Sequence, residues 1–268
     1  MLDLVHRLDD DRKVRYVWFN TGLEYEATKR HLAFLEDKYS ITIERFAPAK
    51  SIPLAVHEYG VPFLSKFVSN KIAGLQNKGF DFSDMPYSDM VALCNGARDY
   101  ADWWHNRHKV NQWNISYNKG LKDFLIANPP KFRISDKCCY YAKKKPANEF
   151  RRKYDIDVQF IGVRRAEGGV RAMTKDCFTH NLRNGNLFRP LFWFTDDDKR
   201  FYERTFGITH SDCYSIYGLK RTGCVGCPFN RNILSEIDAV KSHEQGLVKA
   251  AQALFGLAYD YSRLYKTF

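Results

Sequence analysis

The residues with the most chemistry to offer are cysteines. Cys224 and Cys227 form a Cys-x-x-Cys within RTGCVGCPF, with a glycine before each cysteine and a proline after the second. That spacing lets two thiolates reach one metal centre, and the glycines let backbone N–H groups come close to sulfur. Taken alone, the motif also fits a structural zinc knuckle, which needs two further ligands, or a redox dithiol. A thioredoxin-like dithiol opens a helix after a strand, however, and Arg221-Thr222-Gly223 does not look like such a lead. The tandem pair Cys138-Cys139 weighs against zinc. Neighbouring residues do not easily place both sulfurs on one tetrahedral ion, whereas a cubane offers a separate iron at each corner. Together Cys138, Cys139, Cys224 and Cys227 point to a [4Fe–4S] cluster. Lys137, Lys143, Lys144, Lys145, Lys220 and Arg221 flank the two motifs and would offset the negative charge of a thiolate-bound cluster; the lysine run 143–145 reads equally well as a solvated helix face.

A second constellation is made of arginines. Arg164, Arg165 and Arg171 surround the loop Glu167-Gly168-Gly169 after an apolar run, and several guanidinium forks around a glycine-rich loop suit a tetrahedral anion. The alternative is a surface ion-pair cluster on Glu167. Phe192, Trp193 and Phe194 could stack on a base, although an apolar run before a helix start is more often core. His180 and His210 are isolated in loops and receive no role.

The elements that must position these groups are legible as alternating strands and helices. Residues 14–20 and 41–47 read as strands around a helix at 24–38, and residues 158–164 as a strand buried on both faces. This β-α-β order predicts a parallel, doubly wound α/β sheet. Residues 51–128 read as a helical insert carrying Trp103, Trp104 and Trp113. A helix starting near Asp136 should stop at Pro146. Thr195, followed by Asp196, Asp197 and Asp198, caps a helix ending at Gly207. Residues 235–268 form C-terminal helices broken near Gly246 or Gly256.

A chain of 268 residues, 44% hydrophobic and 15% aromatic, can bury a substantial core. Its apolar runs fall far short of the ~20 residues of a bilayer crossing, and residues 1–12 lack the apolar region of a secretory signal. The expectation is a cytoplasmic protein without a membrane partner. Seven cysteines, an odd number, argue against a disulfide framework in favour of metal or redox chemistry. A net charge of +11 implies an anionic partner: nucleotide, nucleic acid or cofactor.

The runs WFNTGLEYEAT, YGVPFLSK, ISDKCCYYAKKKP, GVRRAEGGVR, RPLFWFTDDD and IYGLKRTGCVGCPF, in this order, resemble the phosphoadenosine-phosphosulfate (PAPS/APS) reductase family. A Cys-Cys pair followed far downstream by Cys-x-x-Cys is the signature of its iron–sulfur branch. The resemblance implies an adenine-nucleotide alpha-hydrolase-like (Rossmann-like) fold over residues 1–234, with the insert at about 51–128 and a helical segment at 235–268. It implies that Thr21 and Gly22 approach an adenine nucleotide, ATP or PAPS/APS, and that Arg164, Arg165 and Arg171 face its phosphate or sulfate. It also implies a reductant protein as partner and a role in sulfur metabolism or sulfur transfer. Two elements of the family pattern are missing. No cysteine follows Cys227 to attack the sulfonyl sulfur, which leaves Cys177 or Cys213 as stand-ins, and no Ser-Gly-Gly-type phosphate loop precedes the first helix. A sheet without that first strand should show a gap or a re-paired strand between residues 16–19 and 159–163. Two rivals remain: an ATP-dependent sulfur-transfer component acting on nucleic acid, as in DNA phosphorothioation or tRNA thiolation, with Trp103, Trp104 and Trp113 as contact surface, and a non-catalytic regulatory protein retaining the fold.

Overall fold

Runs rich in aromatic and β-branched residues form strands where the sequence places them, but shorter ones. The computed structural model describes residues 1–180 and 185–268, a mixed α/β chain in which helix predominates. β1 (Tyr16–Phe19) and β2 (Ile43–Phe46) pair in parallel, Tyr16 opposite Ile43, and the helix Glu26–Tyr39 connects them. This is the predicted β-α-β unit. β3 (Val158–Phe160) pairs in parallel with β5 (Asn186–Phe188), to which β4 (Phe178–Thr179) adds antiparallel.

Among the described residues no ladder joins β1 to β3. The single parallel sheet is therefore corrected to two small sheets, one of them mixed, with the division between β1 and β3. β3 is also not buried on both faces: Val158 and Gln159 are half-buried and Phe160 is exposed. Just beyond β3, Gly162 lies against the Met1 side chain, so that a Cβ there would stand 3.4 Å from the Met1 sulfur.

The chain divides into two compact units. The first comprises residues 1–20, 24–49 and 143–221 and holds both sheets; the second comprises 21–23, 50–142 and 222–268. The insert and the C-terminal helices share the second unit. The reason is aromatic packing: Tyr261 of the helix Gln245–Thr267 lies 4.9 Å from both Phe63 and Phe124 and 5.3 Å from Phe132, ring centre to ring centre. Trp103 and Trp104 are fully buried in this core. Burying an indole removes well over 100 Å² of apolar surface from water, and that gain overrides the contact-surface expectation for these two residues; of the three, Trp113 is exposed.

Two helix ends also differ from the sequence reading. The helix Lys137–Cys139 runs through a wide π turn at Tyr140–Lys144 into the helix Lys145–Lys153, past Pro146. The π turn restarts the hydrogen-bond ladder, so the proline falls in a first turn, where its missing N–H costs little. At the C-terminal end the break lies at residues 241–244, between Ile233–Val240 and Gln245–Thr267, and both Gly246 and Gly256 sit inside the long helix. Burial of Val248, Ala251, Phe255, Ala258 and Tyr259 at helical spacing outweighs the roughly 1 kcal/mol that each glycine costs. Among the described residues no helix is long and apolar enough to cross a membrane.

Candidate metal centre

All four candidate ligands, Cys138, Cys139, Cys224 and Cys227, belong to the second unit, and all are free thiols. Cys138 and Cys139 sit in the helix Lys137–Cys139, which packs on the helix Ile52–Tyr59. A parallel bridge between Val61 and Ile134 fixes the approach to the pair, with the Ser135 amide donating to the Val61 carbonyl at 2.9 Å. Cys224 and Cys227 lie on a tight turn in which the Cys227 amide donates to the Cys224 carbonyl at 3.2 Å. Gly226 takes φ +67 at the middle of that turn, and a Cβ there would stand 2.6 Å from both the Ala251 Cβ and the Tyr259 hydroxyl. Glycine is required here on both counts. The Tyr259 hydroxyl donates to the Gly226 carbonyl at 2.5 Å, which holds the cysteine loop against the last helix.

Electrostatics ties the four sulfurs together. The Cys138 thiol is pushed far above the usual thiol range, first by its hydrogen bond with Cys139, then by burial, with the charges of Cys139, Cys227 and Cys224 adding to both. Burial pushes Cys227 up to about 12, helped by Cys224 and Cys139; the Phe229 amide, which donates to it, and Lys66 act in the opposite direction. Cys138 and Cys227 thus favour their neutral thiol forms until a metal ion displaces the protons. Among the described residues no three His, Cys, Asp or Glu side chains already converge as a single-ion site.

The surroundings hold three residues that the spacing of the cysteines does not reveal. Lys66, rather than the lysine run, is the cation that acts on Cys227. Lys143 pairs with Glu24 at 3.0 Å and Lys145 with Glu149 at 3.7 Å, while Lys137 lies over the Tyr140 ring. Tyr259 is raised above the ordinary phenol range by burial and by the Cys227 and Glu236 charges. Thr21, expected beside a nucleotide, is buried in the second unit, where its hydroxyl accepts from the Cys224 thiol at 3.4 Å. The segment 21–23 is pinned there by the Val225 amide, which donates to the Leu23 carbonyl at 2.7 Å. The threonine thus supports the cysteine loop, and Gly22 supplies the turn beside it with φ +82 and open space around its Cα.

The arginine constellation lies in the first unit and is internally engaged. Arg164 reaches the start of the helix Asp196–Thr205, with Nη2 2.9 Å from Asp196 and Nη1 donating to the Thr195 carbonyl at 3.1 Å. Arg171 pairs with Glu167, and Arg165 lies 5.6 Å over the exposed Trp193 ring. An anion here would compete with Glu167 and Asp196. Phe192 is core, fully buried. Of the two stand-in thiols, Cys213 is fully buried, its sulfur 3.6 Å from the Thr28 hydroxyl, and Cys177 is half-buried. His210 pairs with Glu203, and His180 hydrogen-bonds Asn186.

Compared with known proteins, the sequence matches no family model and no curated protein.

Proposed function

We propose that this chain is a protein of the iron–sulfur branch of the PAPS/APS reductase family, with an adenine-nucleotide alpha-hydrolase-like fold. In this reading it holds a [4Fe–4S] cluster on Cys138, Cys139, Cys224 and Cys227 and acts on an adenine nucleotide, ATP or PAPS/APS, in sulfur metabolism or sulfur transfer. The observation that carries the reading is the gathering of two cysteine pairs, distant in sequence, into one unit where each pair feels the other's charge. The Phe229 amide on Cys227, the Thr21 hydroxyl on Cys224 and Lys66 would stabilise thiolate ligands. When bound, the cluster would supply a fixed, electron-rich centre beside the substrate and tune its electrostatics. A nucleotide site in the first unit rests on Arg165 with Trp193 and on release of Arg171 from Glu167.

Anaerobic purification followed by iron and sulfide assay tests the reading. About four irons and four sulfides per chain, with a brown colour, support it. Stoichiometric zinc without inorganic sulfide overturns it.

A further inference from the structure

Immediately before Cys138, the second unit has a polar cavity of about 160 Å³. One wall is a face of the helix Lys66–Asn77, with Asn70, Ala73, Gly74 and Asn77; the facing wall is the run 133–137. The facing wall is held rigidly. The Gln76 side chain donates to the Phe132 carbonyl at 2.8 Å and accepts from the Ile134 amide at 2.9 Å, and the Val61–Ile134 bridge fixes the same stretch from its other edge. Tyr100 closes one end, packed so tightly on Gly74 that a Cβ there would stand 2.1 Å from its ring.

The charges on this cavity do not cancel. Among the described residues Arg133 donates only to neutral acceptors, the Glu58 carbonyl at 3.2 Å and the Asn77 side-chain oxygen at 3.2 Å. Lys137 has its ammonium over the Tyr140 ring and forms no ion pair among the described residues. Asp136 is the one carboxylate on the lining. Two cations against one anion, with the amides of Asn70 and Asn77 as further N–H donors, select a small anion that accepts from several directions at once. The volume admits a tetrahedral oxyanion and excludes a nucleotide.

We infer that this cavity is a subsite for a small divalent oxyanion of sulfur or phosphorus, bound by Arg133 and Lys137. The site uses none of the four cysteines, so it stands independently of the cluster. Titration calorimetry at constant ionic strength, with sodium sulfate, sodium thiosulfate and inorganic phosphate as probes and chloride as control, tests it on the full chain. Saturable binding of a divalent oxyanion is expected, weakened at least about tenfold in Arg133→Gln and in Lys137→Gln, the worth of one charged hydrogen bond. Preference for the sulfur anions over phosphate, or the reverse, identifies the source. Absence of saturable binding, or equal binding by both variants, overturns the inference. Should either variant fail to fold, hydrogen exchange of the wild-type protein decides: sulfate-dependent protection at residues 70–77 and 133–137 supports the site, and protection only elsewhere refutes it. Iron assay of the same sample separates the two readings, because a chain without iron that still binds the oxyanion defeats the cluster alone.

Discussion

Serine in place of Cys138, Cys139, Cys224 or Cys227 keeps the side chain's size and removes its soft donor. Each variant should lose most of its iron and its visible absorption, and unchanged iron content in any one of them would remove that residue from the ligand set. The control is Cys94, fully buried in the core of the second unit with its thiol raised by burial. Alanine is the better substitution there, since a serine hydroxyl would be desolvated without a partner at a cost of about 1–3 kcal/mol; Cys94→Ala should retain full iron. Asp3 is a residue of a different kind. Burial alone would raise its carboxyl, but hydrogen bonds from Arg7, Tyr202 and Tyr39 outweigh that and hold it at about 2, against an ordinary 3.8. A folded pKa below the unfolded one adds stability above about pH 4, and this is lost as pH falls towards 2. Asp3→Asn should cost about 1–2 kcal/mol at neutral pH and flatten the acid limb of the stability profile between those limits; an unchanged limb would show that the three bonds do not survive in solution.

At the scale of elements, the joint between the cysteine turn and the helix Gln245–Thr267 is the most exacting. Gly226→Ala combines an unfavourable φ with a collision against Ala251 and Tyr259, and should cost about 2–4 kcal/mol together with iron binding. Tyr259→Phe removes only the hydroxyl and should cost about 1 kcal/mol by denaturant unfolding. The capping box at Thr195, whose hydroxyl accepts from the Asp198 amide while the Asp198 carboxylate accepts from Thr195, was readable from the TDDD run because capping is local chemistry. So were β1, β2 and their helix, whose apolar periodicity lies within one short segment. The Pro146 stop was misread because the π turn depends on what Cys138, Ala142 and Tyr141 pack against, not on the proline's neighbours. The roles of Thr21, Lys66 and Tyr259 beside the cysteines were hidden for the same reason: each reaches the site from a segment remote in sequence, and no spacing rule records that approach.

For the whole molecule, the division of labour between units yields a test by metal removal. All four candidate ligands and the aromatic core around Phe63, Trp103, Trp104 and Tyr261 belong to the second unit. Anaerobic chelation should therefore accelerate amide exchange in residues 50–142 and 222–268 well before it does so in residues 24–49 and 143–180, because ligand binding stabilises the part that holds the ligand. Uniform acceleration along the chain, or none, would contradict that assignment.

The interleaving of the units also has a consequence for biosynthesis. The second unit begins with residues 21–23, resumes at 50–142 and continues only at 222–268, so two of its four candidate ligands and the helix that braces them are made after the other two. A growing chain that has just exposed Cys138 and Cys139 has neither Cys224 and Cys227 nor Tyr259 to complete their surroundings. The vicinal thiols must wait, reduced and open to oxidation, while the remaining residues leave the ribosome. If the proposed cluster is bound, its insertion follows the synthesis of residues 222–268, and its yield during expression should track the supply of reductant and iron after that point more closely than the rate of translation.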